Sequence, residues 1–295
     1  MDEKNRKLLI EITLNCNSQC IYCYNSKKKD NMEINIEQFL LPANFINKQN
    51  FNQVVITGGE PLLEYNKLKK IFDHYKGEMK EQVLITNGLL LTQKRINELI
   101  ESGMTKLCIS CDGVNEKTQF ELRKTRAKKL WSKIEEAKKV IDERIQLELL
   151  YTLTSINSSK SDIEKFVMKS KKEEIESIKF QPITCDLNPE IKRLELKLEK
   201  FIEIVKLLEE KKEKWYISNS NQFFEFTKIL LESKLQNKNI LCPIPESNLF
   251  INAKGMLQIC PILQHKNLTY SFNEIRTITF EPIDCKLKTH CLCMF

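Results

Sequence analysis

The chain has 295 residues, enough for one large domain with an appendage and for a substantial buried core. Lys and Arg number 47 against 40 Asp and Glu, a net charge of +7. The basic residues are spread along helical segments, which favours solvated helix faces over a nucleic-acid-binding groove. No apolar run approaches the roughly 20 residues that span a bilayer. The charged amino-terminal segment lacks the apolar stretch of a signal peptide. We therefore expect a cytoplasmic protein that binds neither nucleic acid nor membrane.

Six short apolar runs along the first two thirds of the chain are typical of buried strands. They are residues 8–14, 53–57, 82–86, 106–112, 146–154 and 177–183. Between them lie charged segments with apolar residues three and four apart, such as INELIES (96–102) and LWSKIEEAKKVIDE (130–143), which predict helices. Six strand-helix units in succession predict an α/β fold with a parallel sheet, either open and doubly wound or a partial barrel.

Glycine is scarce, with 7 in the chain, so each position is informative. Gly77 and Gly103 follow helical runs and are expected as left-handed caps. Gly255 lies between two alternating apolar runs and predicts a β-hairpin. The remaining four follow the ends of the second, third and fourth predicted strands: Gly58, Gly59, Gly88 and Gly113. Ligands bind at that edge of parallel α/β folds, so these glycines either let the backbone approach a ligand or simply form tight turns.

The 11 cysteines are concentrated at the two ends of the chain. Because cytoplasmic thiols stay reduced, metal ligation is a better interpretation than a disulfide framework. Three cysteines lie instead in apolar, strand-like surroundings and are expected to be small buried hydrophobes: Cys108, Cys111 and Cys185.

The first cysteine group follows the first predicted strand as CNSQCIYC, with ligand-like spacing at Cys16, Cys20 and Cys23. Thiolates prefer zinc or iron-sulfur clusters. A structural zinc needs a fourth ligand, and none of the three histidines is near in sequence. Three cysteines can instead hold a four-iron cluster and leave one iron open to a substrate.

This CxxxCxxC motif, with Tyr22 before its last cysteine, resembles the signature of the radical S-adenosylmethionine (SAM) enzymes. The resemblance implies a partial (βα)6 TIM-like barrel, a [4Fe–4S] cluster and SAM as cofactors. It also implies reductive cleavage of SAM to a 5′-deoxyadenosyl radical that abstracts hydrogen from a substrate. An electron donor such as ferredoxin or flavodoxin is then an expected partner.

Three further motifs follow the second, third and fourth strands: TGGEP (57–61), TNG (86–88) and ISCDG (109–113). They resemble family motifs that hold the methionine ammonium and the ribose, and Arg123 falls where relatives carry an arginine for the methionine carboxylate. The SAM-binding residues implied by the resemblance are Gly58, Gly59, Glu60, Asn87, Ser110, Asp112 and Arg123.

The tail resembles a second family feature, the SPASM and twitch auxiliary-cluster domains. Its spacing of Cys242, twelve residues, Gly255, four residues and Cys260 matches their opening hairpin, and three more cysteines follow: Cys285, Cys291 and Cys293. We expect one auxiliary [4Fe–4S] cluster held by Cys242, Cys260 and two of the other three, with His290 as a further candidate. A zinc ion bound by four of these thiolates is the alternative.

The sequence thus predicts a barrel over residues 1–186, a helical connection over 187–240 and a small cysteine-rich domain over 241–295. The resemblance implies a ribosomally made precursor peptide as substrate, modified by crosslinking, epimerisation or oxidation. The basic surplus and the helical connection favour an acidic peptide. The alternatives are a dehydrogenase of sugars or aminocyclitols and, more remotely, a non-catalytic iron-sulfur or zinc protein.

Overall fold

The computed structural model describes residues 6–23, 25, 35–183, 189–225, 229, 241–242, 244–258, 269–270 and 283–284. The strands are β1 Arg6–Glu11, β2 Phe51–Thr57, β3 Glu81–Thr86, β4 Lys106–Ser110, β5 Gln146–Leu153, β6 Ile178–Pro182, β7 Leu241–Cys242, β8 Asn248–Ile251, β9 Leu257–Gln258, β10 Thr269–Tyr270 and β11 Ile283–Asp284. The helices are α1 Ala43–Lys48, α2 Tyr65–Tyr75, α3 Gln93–Glu101, α4 Glu116–Arg123, α5 Ala127–Lys138, α6 Lys160–Lys172, α7 Pro189–Lys192 and α8 Leu198–Glu210. Short 3-10 helices span Ile36–Phe39 and Pro61–Glu64, and a helical turn spans Ile244–Ser247.

Strands β1 to β6 pair in parallel and in chain order, with a helix in each crossover. All six predicted strands are therefore confirmed, and the α/β class with them. Over the residues that the structure describes, the sheet does not close on itself: its order runs β10-β9-β8-β1-β2-β3-β4-β5-β6. The carboxyl ends of β1 to β5 meet at one edge, where the predicted motifs follow.

The two faces of the sheet differ because strand side chains alternate. One face packs against the helices and supplies the main core, with Leu8 and Ile10 of β1 fully buried there. The opposite face carries a smaller apolar cluster, contributed by neighbouring strands: Leu9, Val55, Val83, Ile85, Cys108 and Leu150. This second face lines the inside of the open barrel.

Charged residues lie on the inner face nearer the amino-terminal ends of the strands. Glu148 is 3% exposed and pairs with Lys106 at 3.0 Å, and it also accepts hydrogen bonds from Ser177 at 2.9 Å and from Ser218. Although burial opposes it, Lys106 together with Lys179 holds the pKa of Glu148 below its usual value. Glu148 is therefore a buried carboxylate whose charge is balanced by Lys106.

The tail hairpin joins the barrel sheet. Strands β8 and β9 pair antiparallel around a turn in which Gly255 has φ +70, as the sequence predicted. Strand β8 also pairs in parallel with β1, with Leu9 opposite Phe250. In a closed barrel the last strand would pair with this edge of β1. Here the hairpin pairs with it through β8.

The far edge, at β6, is covered by residues from the helical connection. The side-chain amide of Asn219 donates to the carbonyl of Phe180 at 2.9 Å and accepts from its N–H at 2.9 Å. Ile178 makes the same kind of exchange with the backbone of Tyr216 and Ser218. These bonds satisfy outward-facing groups of an edge strand that would otherwise be open.

The predicted helix over 130–143 begins earlier, at Ala127, and ends at Lys138, and Val140 and Ile141 pack against the core from beyond its end. Gly77 and Gly103 have φ +86 and +111, which confirms the left-handed positions expected after α2 and α3. Across the part of the chain described, no helix has the length and apolarity to cross a membrane.

Candidate active site

The three-cysteine loop starts directly beyond β1, at the carboxyl edge of the sheet. Cys16 is exposed, and Cys20 and Cys23 are half-buried. The thiols share one loop but do not converge: nowhere in the described ranges do three Cys, His, Asp or Glu side chains point to a common metal position. The Ser18 hydroxyl lies 3.6 Å from Cys20 Sγ, and its backbone N–H donates to Cys16 Sγ at 3.4 Å.

The glycines of TGGEP let two loops touch. The backbone N–H of Gly59 donates to the Thr13 carbonyl at 2.6 Å, and that of Glu60 donates to the Asn15 carbonyl at 2.8 Å. A Cβ on Gly59 would stand 2.1 Å from the Asn15 oxygen, and one on Gly58 would stand 2.5 Å from the Thr13 oxygen. These two positions need glycine because the TGGEP loop lies directly against the backbone of the segment that leads into Cys16.

Glu60 is fully buried and bridges the ends of β2 and β3. Its carboxylate accepts from the Thr86 hydroxyl at 2.7 Å, the Asn87 N–H at 2.8 Å and the Leu62 N–H at 3.0 Å. Burial raises the pKa of this carboxyl, and the three hydrogen bonds act in the opposite direction. The residue predicted to meet the methionine ammonium is thus also the structural link between two motif loops.

Asn87, of the TNG motif, reaches the cysteine loop. Its side-chain amide donates to the Asn17 side chain at 2.7 Å and lies 3.8 Å from Cys16 Sγ. Its Oδ1 accepts from the Leu89 N–H at 3.0 Å, which fixes the orientation of the amide. Two of the predicted motifs therefore contact the cysteine loop through Asn87 and Gly59.

Asp112 is the centre of a buried hydrogen-bond network at the end of β4. One carboxylate oxygen accepts from the Tyr22 hydroxyl and from the Arg123 guanidinium, the latter at 2.7 Å. The other oxygen accepts from the Thr152 N–H at 2.8 Å. Because these partners come from the cysteine loop, α4 and β5, Asp112 joins three separate segments at one point.

Arg123 lies between this carboxylate and the cysteine loop. Its Nη1 is 3.9 Å from Cys20 Sγ, and its guanidinium carbon lies 5.6 Å from the centre of the Tyr22 ring. Although burial disfavours the charge, Asp112 keeps the pKa of Arg123 above its ordinary value. The guanidinium therefore lies against both the Cys20 sulfur of the cysteine loop and Asp112.

The remaining predicted residues lie in or just beyond β4, or in the tail. Ser110 ends β4 on the inner face, two residues beyond Cys108. Cys108 and Cys111 are 2% and 0% exposed, which confirms that they are buried. Cys242 is described only through its backbone in β7, and five cysteines lie outside the described residues: Cys185, Cys260, Cys285, Cys291 and Cys293.

The donor set of the loop fits a four-iron cluster. It offers three thiols in one segment, and such clusters are ligated by cysteine thiolates. Burial raises the pKa of the Cys23 thiol to about 11. Metal-bound thiols are deprotonated, so loading the cluster on Cys23 would release a proton.

Two contributors to the site carried no local signal in the sequence. Glu11, at the end of β1, accepts from the Asn25 amide at 2.6 Å and from the Ala253 N–H at 3.3 Å, which ties the cysteine loop to the tail hairpin. Asn157 is fully buried and donates to the carbonyls of Asp112 at 3.1 Å and Thr152 at 2.9 Å. Ala253 is 242 positions from Glu11 and Asp112 is 45 positions from Asn157, so only the fold brings these partners together.

The chain belongs to the Radical SAM superfamily, whose family profile matches residues 10–166. That family uses a [4Fe–4S] cluster and SAM. The family predicted from the four motifs is confirmed.

Similar curated proteins are matched over part of their length. A GTP 3′,8-cyclase of Campylobacter jejuni subsp. doylei is 28% identical over 195 residues, covering 62% of this chain and 58% of that protein. The uncharacterized protein MJ0907 of Methanocaldococcus jannaschii is 33% identical over 114 residues, covering 37% of this chain and 39% of that protein. The cyclopropyl synthase TigE of Paramaledivibacter caminithermalis is 28% identical over 139 residues, covering 40% and 29%. Each match spans less than two thirds of the relative.

Solved structures share the fold over most of the chain. Streptococcus suis SuiB bound to its precursor peptide SuiA superposes with a TM-score of 0.68 at 14% identity, covering 88% of this chain and 61% of that one. Native anSMEcpe with bound AdoMet superposes with a TM-score of 0.63 at 20% identity, covering 93% and 81%. At these identities the likeness establishes the fold, the unclosed radical SAM barrel that the sequence predicted.

Proposed function

We propose that this radical SAM enzyme modifies a ribosomally made peptide and that Cys16, Cys20 and Cys23 hold its SAM-cleaving cluster. A [4Fe–4S] cluster held by these three thiolates would supply the single electron for reductive cleavage of SAM, with a donor such as ferredoxin or flavodoxin as the source of that electron. The chain's own part is to hold SAM and to keep the substrate hydrogen within reach. The proposed SAM contacts are Gly58, Gly59, Glu60, Asn87, Ser110 and Asp112.

The geometry of the motif loops supports this assignment. Gly59 and Asn87 connect the second and third motifs to the cysteine loop, and Asp112 connects the fourth motif to Tyr22. A ligand held by the loop would therefore face all four strand ends. Carbonyl and carboxylate groups gathered there suit a donor-only ammonium, and Ser110 suits a ribose hydroxyl.

The observation that carries the peptide substrate is the extent of the fold likeness. The superpositions on SuiB and anSMEcpe, both of which have structures with a peptide bound, cover 88% and 94% of this chain, well past the barrel. The partial match to TigE agrees with the same class. The surplus of basic residues favours an acidic peptide over a neutral one.

A small-molecule substrate is the second candidate, because GTP 3′,8-cyclases match 62% of the chain at 28% identity. That similarity includes the barrel, which binds SAM throughout the family, so it gives less information about the second substrate. A nucleotide is therefore tested beside the peptide rather than in place of it.

We propose that the tail holds an auxiliary cluster on Cys242, Cys260 and two of Cys285, Cys291 and Cys293. The supporting contact is the antiparallel pairing of β7 with β11, in which Cys242 lies opposite Ile283. Two chain segments that contain or precede predicted ligands thus run side by side. The attached hairpin, through β8 and β1, connects them to the barrel.

The test is an anaerobic incubation of the reconstituted full chain with SAM, a reductant and either GTP or short peptides encoded beside its gene, in heavy water. A peptide that loses two hydrogens indicates a crosslink or desaturation, and one that gains a deuterium indicates epimerisation. GTP conversion with unchanged peptides would overturn the peptide substrate.

A Cys20→Ala variant should form no 5′-deoxyadenosine, whereas the matched Cys108→Ala variant, which removes a buried thiol elsewhere in the barrel, should still form it.

A further inference from the structure

The guanidinium of Arg123 occupies an enclosed position beside the cysteine loop. The residue is 8% exposed, and its guanidinium is bounded by Asp112 Oδ2 at 2.7 Å, the Tyr22 ring and Cys20 Sγ at 3.9 Å. The distance to sulfur is within the range of an N–H to sulfur hydrogen bond, which is longer than one to oxygen. One fixed cation is thus shared between a carboxylate and a predicted cluster ligand.

Several contacts hold Arg123 in this orientation. Its carbonyl accepts from the Ser18 hydroxyl at 2.8 Å, and the preceding Leu122 carbonyl accepts from the Ile21 N–H at 2.9 Å. Asp112 is itself fully buried, so turning the guanidinium away would leave a buried carboxylate without its cation. Arg123 is therefore fixed to the cysteine loop through both its backbone and its side chain.

A hydrogen-bond donor to a ligand sulfur acts on the reduction potential of the cluster rather than on the substrate. Hydrogen bonds to cluster sulfurs and nearby positive charge stabilise the more negative, reduced state and so raise the reduction potential. The guanidinium is suited to this role because it remains charged under all physiological conditions. The expected consequence is a cluster that accepts its electron more readily.

We infer that Arg123 is a positioning residue of the cluster: it donates a hydrogen bond to Cys20 Sγ, is held there by Asp112, and raises the reduction potential. This rests on the proposed function, since it requires that Cys20 ligate the cluster. It also revises the sequence prediction, in which Arg123 pairs with the methionine carboxylate of SAM.

The two roles are separated by measuring the cluster without SAM. Full-length protein is reconstituted and titrated with a reductant under EPR, and the signal absent from a Cys16, Cys20 and Cys23 triple-alanine variant identifies the loop cluster. Arg123→Gln should lower the ratio of reduced to oxidised cluster at a fixed potential by tenfold or more, which is about 59 mV for one electron. The exposed neighbour Arg126→Gln is the matched control and should leave the potential unchanged.

Arg123→Lys keeps a cation for Asp112 but loses the planar fork that reaches both partners, so its potential should lie between those of wild type and Arg123→Gln. It also serves as the second variant if the glutamine protein folds poorly. A wild-type potential in the variants, together with weakened SAM binding measured by calorimetry, would overturn the inference and restore the carboxylate role. Failure of the wild type to bind iron through the loop would instead remove the proposed function itself.

Discussion

The carboxylate of Glu11 accepts a hydrogen bond from the backbone N–H of Ala253 at 3.3 Å, although 242 positions separate the two residues. The same side chain accepts from the Asn25 amide at 2.6 Å. Glu11 is 6% exposed, at the end of the strand that leads into the cysteine loop. One buried acid therefore connects the candidate SAM site with the hairpin between the predicted auxiliary ligands Cys242 and Cys260.

Replacing Glu11 by Ala should weaken both segments. Leaving buried donors without an acceptor costs about 1–3 kcal/mol of the free energy of unfolding, to be measured by urea denaturation. Glu121→Ala, at an exposed position of α4, is the control and should change stability by less than about 0.5 kcal/mol. Equal stability of the two variants would show that the Glu11 contacts contribute nothing.

Gly59→Ala should disrupt the cysteine loop because its Cβ would stand 2.1 Å from the Asn15 carbonyl oxygen, which cannot move without shifting the loop backbone. We expect a loss of about 2 kcal/mol or more and poorer iron incorporation. Gly113→Ala, after β4, meets its nearest atom at 3.6 Å and should be tolerated. Iron content and melting temperature of the two variants provide the comparison, and similar behaviour would contradict the steric explanation.

Lys7 makes stability depend on pH. Burial, followed by repulsion from Lys179 and Lys106, lowers the pKa of Lys7 to about 8, against attraction from Glu81 and Glu148. The folded state therefore binds fewer protons than the unfolded state between about pH 8 and the ordinary lysine value near 10.5, so this residue makes the free energy of unfolding rise with pH across that window. Below about pH 8 the full cost of charging Lys7 in the fold is present.

Lys7→Met should accordingly stabilise the protein at pH 7, by about 1–3 kcal/mol, and the gain should shrink as pH approaches 10. Urea denaturation of both proteins at matched pH values measures the difference. Lys70→Met, at an exposed site on α2, controls for the loss of a surface charge. A gain from Lys7→Met that stays constant with pH would exclude titration as its cause.

Asn219→Ala should open the edge of β6. Both backbone groups of Phe180 that bond to the Asn219 amide would lose their partner inside the protein, at a cost of about 2 kcal/mol or more. Asn221→Ala removes an exposed amide bonded to Lys212 at 2.6 Å and should cost far less. Hydrogen exchange at the Phe180 amide reports the effect directly, and unchanged protection would argue against the edge-covering role.

The auxiliary cluster is tested by metal content. A variant in which Cys16, Cys20 and Cys23 are all alanine should retain about four iron atoms per chain on the tail cysteines. Adding Cys242→Ser should remove that remaining iron, whereas adding Cys108→Ala should not. One zinc per chain with no iron in the triple variant would favour the tetrahedral zinc alternative instead.

The sequence by itself determined the strands, the order of the motifs and the family. Strands such as β2 and β3 are short apolar runs bounded by polar turns, and CxxxCxxC, TGGEP and TNG are contiguous, so each signal lies within a few residues. The turn at Gly255 was predictable for the same reason: one local pattern encodes it. Parallel order then followed from the strand-helix alternation.

Tertiary structure alone decided which groups meet at the site. Tyr22 bonds to Asp112 across 90 positions, and Asn219 caps Phe180 across 39. The attachment of β8 to β1 likewise joins residues near opposite ends of the described chain. Hydrogen bonds between distant segments leave no periodicity or fixed spacing in a single sequence, because their geometry exists only once the sheet has brought the strand ends together.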